Sequence, residues 1–259
     1  MGNRQDGTRA HNATRIAGAA FCGILAAVGA IALNGCKAKE APNTGFTSAE
    51  QMKPNPQLPF NRSWRKPGID WKNYDKLYVA EVNTSYMLKE SDWQKGERKD
   101  EIQQDVKKLG EYTRQAVIDA FKKDPNHRFE VLSAPTNDPK AIQLELALTE
   151  VVPSKVLLNA LGYAPFYVGT AVSAARFIAS DQSSVAFEGR VRDCATNEVI
   201  AMAADRETEQ YAPVSVRGLT WYGHSEFIIT QWANQFVKTL DRKPGETVKG
   251  TDTFTLQPW

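Results

Sequence analysis

A polar start bearing Arg4, Arg9 and Arg15, an uncharged stretch over 16–33 and small residues at the break to polar chain mark off the part of this protein that can fold. Positive, apolar, small is the order of an export signal. The apolar part is mostly Ala and Gly and lies at the lower length limit for a spanning helix, so it fits a cleaved signal better than a permanent anchor. What folds is then the chain beyond about position 35, outside the reducing cytosol. The three cysteines, Cys22, Cys36 and Cys194, do not form the even set that a disulfide-stapled exported domain carries.

Leu33-Asn34-Gly35-Cys36 resembles the lipobox of bacterial lipoproteins. There a branched residue and a small one precede a cysteine whose thiol takes diacylglycerol and which becomes the new amino terminus. Lipidation at Cys36 by palmitate-like chains is expected, with a signal peptide over 1–35. Several acyl chains would hold the protein where one would not, at roughly 0.8 kcal/mol per buried methylene. Cys194 would then be the remaining thiol, leaving no intramolecular disulfide. Lys37 stands where Asp would signal inner-membrane retention in enteric lipoproteins, which implies an outer-membrane protein facing the periplasm.

Three of the 32 Lys+Arg and one of the 30 Asp+Glu precede residue 36, so the remainder is balanced in charge. A nucleic-acid binder needs a basic stripe to displace counterions, and this balance argues against one.

Residues 36–68, with five prolines and no apolar period, read as a flexible tether, draped at most by Phe46, Phe60 and Trp64 and able to lift the domain clear of the headgroups. A single α+β domain over 69–241 follows, then a polar, loose tail over 242–259. "YDKLYVAEV" alternates as a strand, and 97–123 repeats apolar residues at threes and fours until Asp124-Pro125 stops the helix. "HRFEVLS" and "AIQLELALTEVV" are two further strands. "SSVAFEGRVRD" and "EVIAMAADRE" form a hairpin whose Glu188, Arg190 and Arg192 face solvent, whose Asp193 accepts backbone N–H groups and whose Asn197 takes the positive φ. A helix over 225–240 closes the domain. The fold class is α+β: a mixed, largely antiparallel sheet of about five strands packed by two long helices.

Chemistry is scarce. His127 and His224 are the histidines beyond the signal, and none of the common nucleophile-elbow, zinc-protease or phosphate-loop motifs occurs. Ser225 beside His224 reads as a helix N-cap with the imidazole at the surface. Asp193 and Asp205 read as turn cap and solvated strand end rather than a catalytic carboxylate pair, and Cys194 as a spectator. Catalytic residues, cofactor and metal ligands are therefore all expected to be none. The uncharged stretch 156–175 is either a buried cover for the sheet or a surface for self-association or lipid contact.

"TGF" after the cysteine, "GIDWKNYDKLYVAEV", the uncharged stretch, "GRVRDCATNEVIAMAADRE" and "WANQF" together resemble the bacterial lipoproteins grouped as domain of unknown function thirty-three-thirteen. More distantly, the layout is similar to the periplasmic domains of the curli secretion channel lipoprotein and of the Tol system's propeller protein, in which a hairpin glycine stands where Asn197 is here. The resemblance implies envelope location and fold, and no activity. Two functions remain open: a non-enzymatic binding or assembly module with a protein partner or further copies of itself, or a periplasmic hydrolase acting on envelope polymers. The module is preferred.

Overall fold

Alternation along the longest strands decides which side chains meet the helices and which meet the opposite layer. The computed structural model describes residues 39–88, 99–152, 184–208 and 223–250, which fall within one compact unit, Ala38–Trp259. Cys36 and the stretch 156–175 lie outside the described residues.

Six strands, β1 (Arg62–Arg65), β2 (Lys76–Val79), β3 (Glu130–Leu132), β4 (Ala141–Val152), β5 (Ser184–Asp193) and β6 (Val199–Thr208), form an open sheet in the order β1-β6-β5-β4-β2-β3. The short helix α1 (Ser85–Leu88) follows β2, α2 (Lys99–Lys122) leads to β3, and α3 (Gly223–Asp241) closes the described order. Strand β2 runs parallel to both β3 and β4, whereas β4–β5, β5–β6 and β1–β6 are antiparallel. Parallel neighbours need a long crossover, and α2 supplies the one from β2 to β3. All five expected strands are present. The consecutive strands β3 and β4 do not pair with each other, because β2 inserts between them.

On one face Leu77, Val79, Leu144, Leu146, Leu148 and Phe187 meet the two long helices. Helix α2 presents Val106, Leu109, Thr113, Val117 and Phe121 at the expected threes and fours, all buried. Helix α3 presents Ile229, Trp232, Ala233, Phe236 and Leu240. Phe187 is the hub: Trp232, Phe236 and Phe60 meet its ring edge-on at centroid distances of 4.7, 5.2 and 5.8 Å. Each such side chain contributes about 1.5–3 kcal/mol on full burial. Gly189, on the same face, sits so close to Leu146 that an added Cβ would lie 2.9 Å from its Cδ2. No side chain fits there without displacing the core.

Two expectations are corrected at the ends of the domain. The described part of the segment read as a tether is ordered against the sheet: it donates β1, buries Phe46, Met52, Leu58 and Phe60, and forms the bridge Lys53↔Ser63. Its apolar residues lack a period because they fit a surface already shaped by the strands, so periodicity did not reveal them. The described start of the tail, expected to be loose, is also held: Val248 is buried, and its N–H donates to Gln57 O at 3.0 Å.

Candidate functional site: a buried ionic layer under the amino-terminal segment

The second face of the sheet carries Glu145, Ala147 and Glu150 on β4, Ser184, Ala186, Glu188, Arg190 and Arg192 on β5, and Met202, Ala204 and Arg206 on β6. Expectation placed Glu188, Arg190 and Arg192 in water. The structure covers Glu188 instead: it is 2% exposed, because residues 43–47 lie over it.

The cover works through one carboxylate. Glu188 Oε1 accepts the Thr44 N–H at 2.7 Å and the Thr44 hydroxyl at 3.0 Å; Oε2 accepts the Thr47 N–H and hydroxyl, each at 2.8 Å. Both oxygens are thus filled by charge-assisted bonds, which are stronger than neutral ones. Between the two threonines the chain must reverse. Gly45 does this at φ +86°, a conformation that costs glycine nothing, and its N–H is taken by Asn43 Oδ1 at 2.6 Å.

Arg190 extends the layer. Its Nε bonds Glu145, its Nη1 donates to Phe46 O at 3.1 Å, and its guanidinium stacks 4.3 Å from the Phe46 ring centroid. Arg192 Nε also reaches Glu145, at 3.1 and 3.2 Å. Burial alone raises the Glu145 carboxyl pKa; the Arg190 and Arg192 guanidiniums outweigh it and hold the group below its ordinary value.

A second buried pair lies toward the end of the sheet where β4 stops and β5 starts. Glu150 Oε1 accepts from Ser184 Oγ and from Arg206 Nε, both at 2.6 Å. Arg206 then reaches across the layer, Nη1 donating to Lys39 O at 3.3 Å. Arg62 is paired with Glu40 at 3.2 Å nearby. Farther along, Met52 packs on Met202 and Ala204, with Trp64 beside them. The space left between cover and sheet is about 10 Å³, room for one water.

The remaining sequence candidates are dispersed. Asp193 caps the hairpin, accepting the Ala195 and Thr196 N–H groups at 2.9 and 2.8 Å and the Tyr74 hydroxyl at 2.7 Å. Asn197 takes φ +58°, as the turn requires. Burial, followed by the bond to Asp193, pushes the Tyr74 pKa up to about 12. Asp205 is not a solvated strand end: it is 2% exposed on the helix side, accepting the Asn61 N–H at 2.8 Å and Trp232 Nε1–H at 3.0 Å. Asp205 is opposite Phe187, six strand positions from Asp193, so about 20 Å separates the two carboxylates. Ser225 is buried inside α3 rather than capping it, since the helix starts at Gly223. The His224 side chain lies outside the described residues. His127 is exposed in the turn before β3, at φ +47°. Cys194 is half-buried in the hairpin.

The apolar side of the sheet offers a cavity of about 60 Å³ between Gly189, Ala201, Ala203 and Phe236, lined almost wholly by apolar atoms. Among the described residues, no helix is long and apolar enough to cross a membrane, and no three His, Cys, Asp or Glu side chains gather as metal ligands.

The model of the family described as "Protein of unknown function (DUF3313)" matches residues 42–236. The chain belongs to that family. The matched span takes in Thr44, Gly45 and Thr47 as well as the whole sheet, so the covering segment is part of the family's domain and not an appendage to it. No curated protein matches the sequence. Solved structures with a similar layout include a PelC dodecamer from Paraburkholderia phytofirmans, at 12% identity over 69% of this chain and 96% of that one, TM-score 0.36. Another is protein XCC0632 from Xanthomonas campestris, family model DUF330, at 10% identity over 68% of this chain and 89% of that one, TM-score 0.37. At those scores neither likeness bears on function.

Proposed function

We propose that this protein is a cell-envelope lipoprotein, released from a signal peptide over 1–35, acylated at Cys36 and held at the outer membrane with its domain in the periplasm, where it serves as a non-enzymatic binding or assembly module. The observation that carries this reading is the Glu188 clamp. A buried carboxylate takes four hydrogen bonds from the stretch that begins eight residues after Cys36. Glu145, Glu150 and Asp205 are likewise engaged by arginine, serine, tryptophan or backbone partners. Groups filled in this way fasten a segment; a general acid or base must instead face a substrate. A domain whose buried charges bind its own anchor segment is suited to presenting a surface from a fixed place on a membrane.

Acylation is tested on protein made from the full gene in a bacterial host. Mass spectrometry should find an amino terminus at Cys36 carrying lipid, and Cys36→Ser should leave the signal uncleaved and the protein without acyl mass. A mature terminus elsewhere would refute the anchor. For the module, crosslinking in intact envelopes followed by purification should recover defined protein partners or multimers of the chain itself. Recovery of uncrosslinked protein alone would count against it.

A further inference from the structure

We propose that the end of the sheet marked by Val152, Ser184 and Thr208, together with Lys39 and the Glu40–Arg62 pair, is turned toward the phospholipid headgroups of the membrane that carries the protein, with the β5–β6 hairpin pointing away. This rests on acylation at Cys36. The argument is one of reach. Residues 36–68 would have served as a long tether, but the docked segment reaches back as far as Lys39, whose carbonyl is held by Arg206. Only three residue steps then separate the acylated cysteine from the fixed domain, and even fully extended they span about 10 Å.

The place where that short link ends is set by buried groups. Arg206 is simultaneously bonded to Glu150, near the end of β4, and to Ser184, the first residue of β5. From Lys39 the chain runs down the face to Thr44 and Thr47 on Glu188, then to Met52 on Met202, before returning as β1 beside β6. Each fastening fixes the direction of the one before it. A lipid held within about 10 Å of Lys39 cannot leave the opposite end of the sheet at the bilayer, because β5 alone runs ten residues, or about 30 Å. The hairpin tip at Cys194 to Asn197 is therefore the part of the described domain presented farthest into the aqueous space.

The test uses the full-length acylated protein in vesicles of phosphatidylethanolamine and phosphatidylglycerol doped with a headgroup-linked nitroxide lipid. A fluorophore is placed either on the native Cys194 or on Thr208→Cys in a Cys194→Ser background. We expect several-fold stronger quenching at position 208 than at 194, and loss of that difference when a long Gly/Ser insert follows Lys37. Equal quenching at the two positions in protein whose mass shows the acyl chains would overturn the orientation while leaving the anchor intact. Persistence of the difference with the insert would overturn the short link as its cause. Absence of acyl mass would refute the anchor on which the inference rests.

Discussion

Asp241, at the last position of α3, shows how a single group can work against the fold. Its Oδ2 accepts the Asn126 amide at 3.0 Å, while Oδ1 is buried with no hydrogen-bond partner among the described residues. Burial raises its pKa; Asp124 raises it further, against the lowering by Asn126 and Arg128. A carboxyl whose folded pKa is raised carries a penalty that is absent below the unfolded value near 3.9, accumulates up to the folded value, and stays at neutral pH. Asp241→Asn should therefore raise the melting temperature at pH 7 and leave it almost unchanged near pH 3; an equal gain at both would show that charge is not the cause. The contribution of Asp193 has the opposite sign: its lowered pKa gives stability that fades as pH falls through the carboxylate range. Asp193 and Asn197 were legible in the sequence because a two-strand turn makes local demands that few residue types meet. Glu188 was not, because strict alternation assigns a charged residue to water and says nothing of a second layer arriving from elsewhere in the chain.

At the level of elements, the strands and long helices followed from period alone, as β4, β5, β6, α2 and α3 attest. The covering segment did not. It has no regular hydrogen-bond ladder over 43–47 and is held by side chains of β5, so its structure is written in Glu188 and Arg190 as much as in its own residues. That dependence is testable. Glu188→Ala deprives the Thr44 and Thr47 donors of their acceptor, at a cost of about 1–3 kcal/mol, moderated if the segment lifts into water. Glu188→Gln should do less harm, because its amide nitrogen opposes one backbone N–H while the threonine hydroxyl beside it can turn to accept. Limited trypsin digestion should cut after Lys39 faster in both variants, with the described strands and long helices remaining protected. An unchanged digestion pattern would mean that other contacts suffice to hold the segment.

Taken whole, the molecule joins its first described residues to its last strands: Thr44 bonds a side chain 144 positions away, and β1 pairs with β6. Chain closure over such separations is costly in entropy, and contacts of this kind form late in folding. The βαβ unit and the β5–β6 hairpin are more local and can assemble first. Glu188→Ala should accordingly speed unfolding while leaving the folding rate nearly untouched, a φ-value close to zero in stopped-flow chevrons; a value near one would place the clamp in the folding nucleus. The same topology sets an order of events for a chain that emerges amino terminus first. The surface that holds residues 43–47 exists only after β5 and β6 have followed, so for that interval Thr44 and Thr47 are open to proteolysis, and closing the clamp on Glu188 withdraws them from attack.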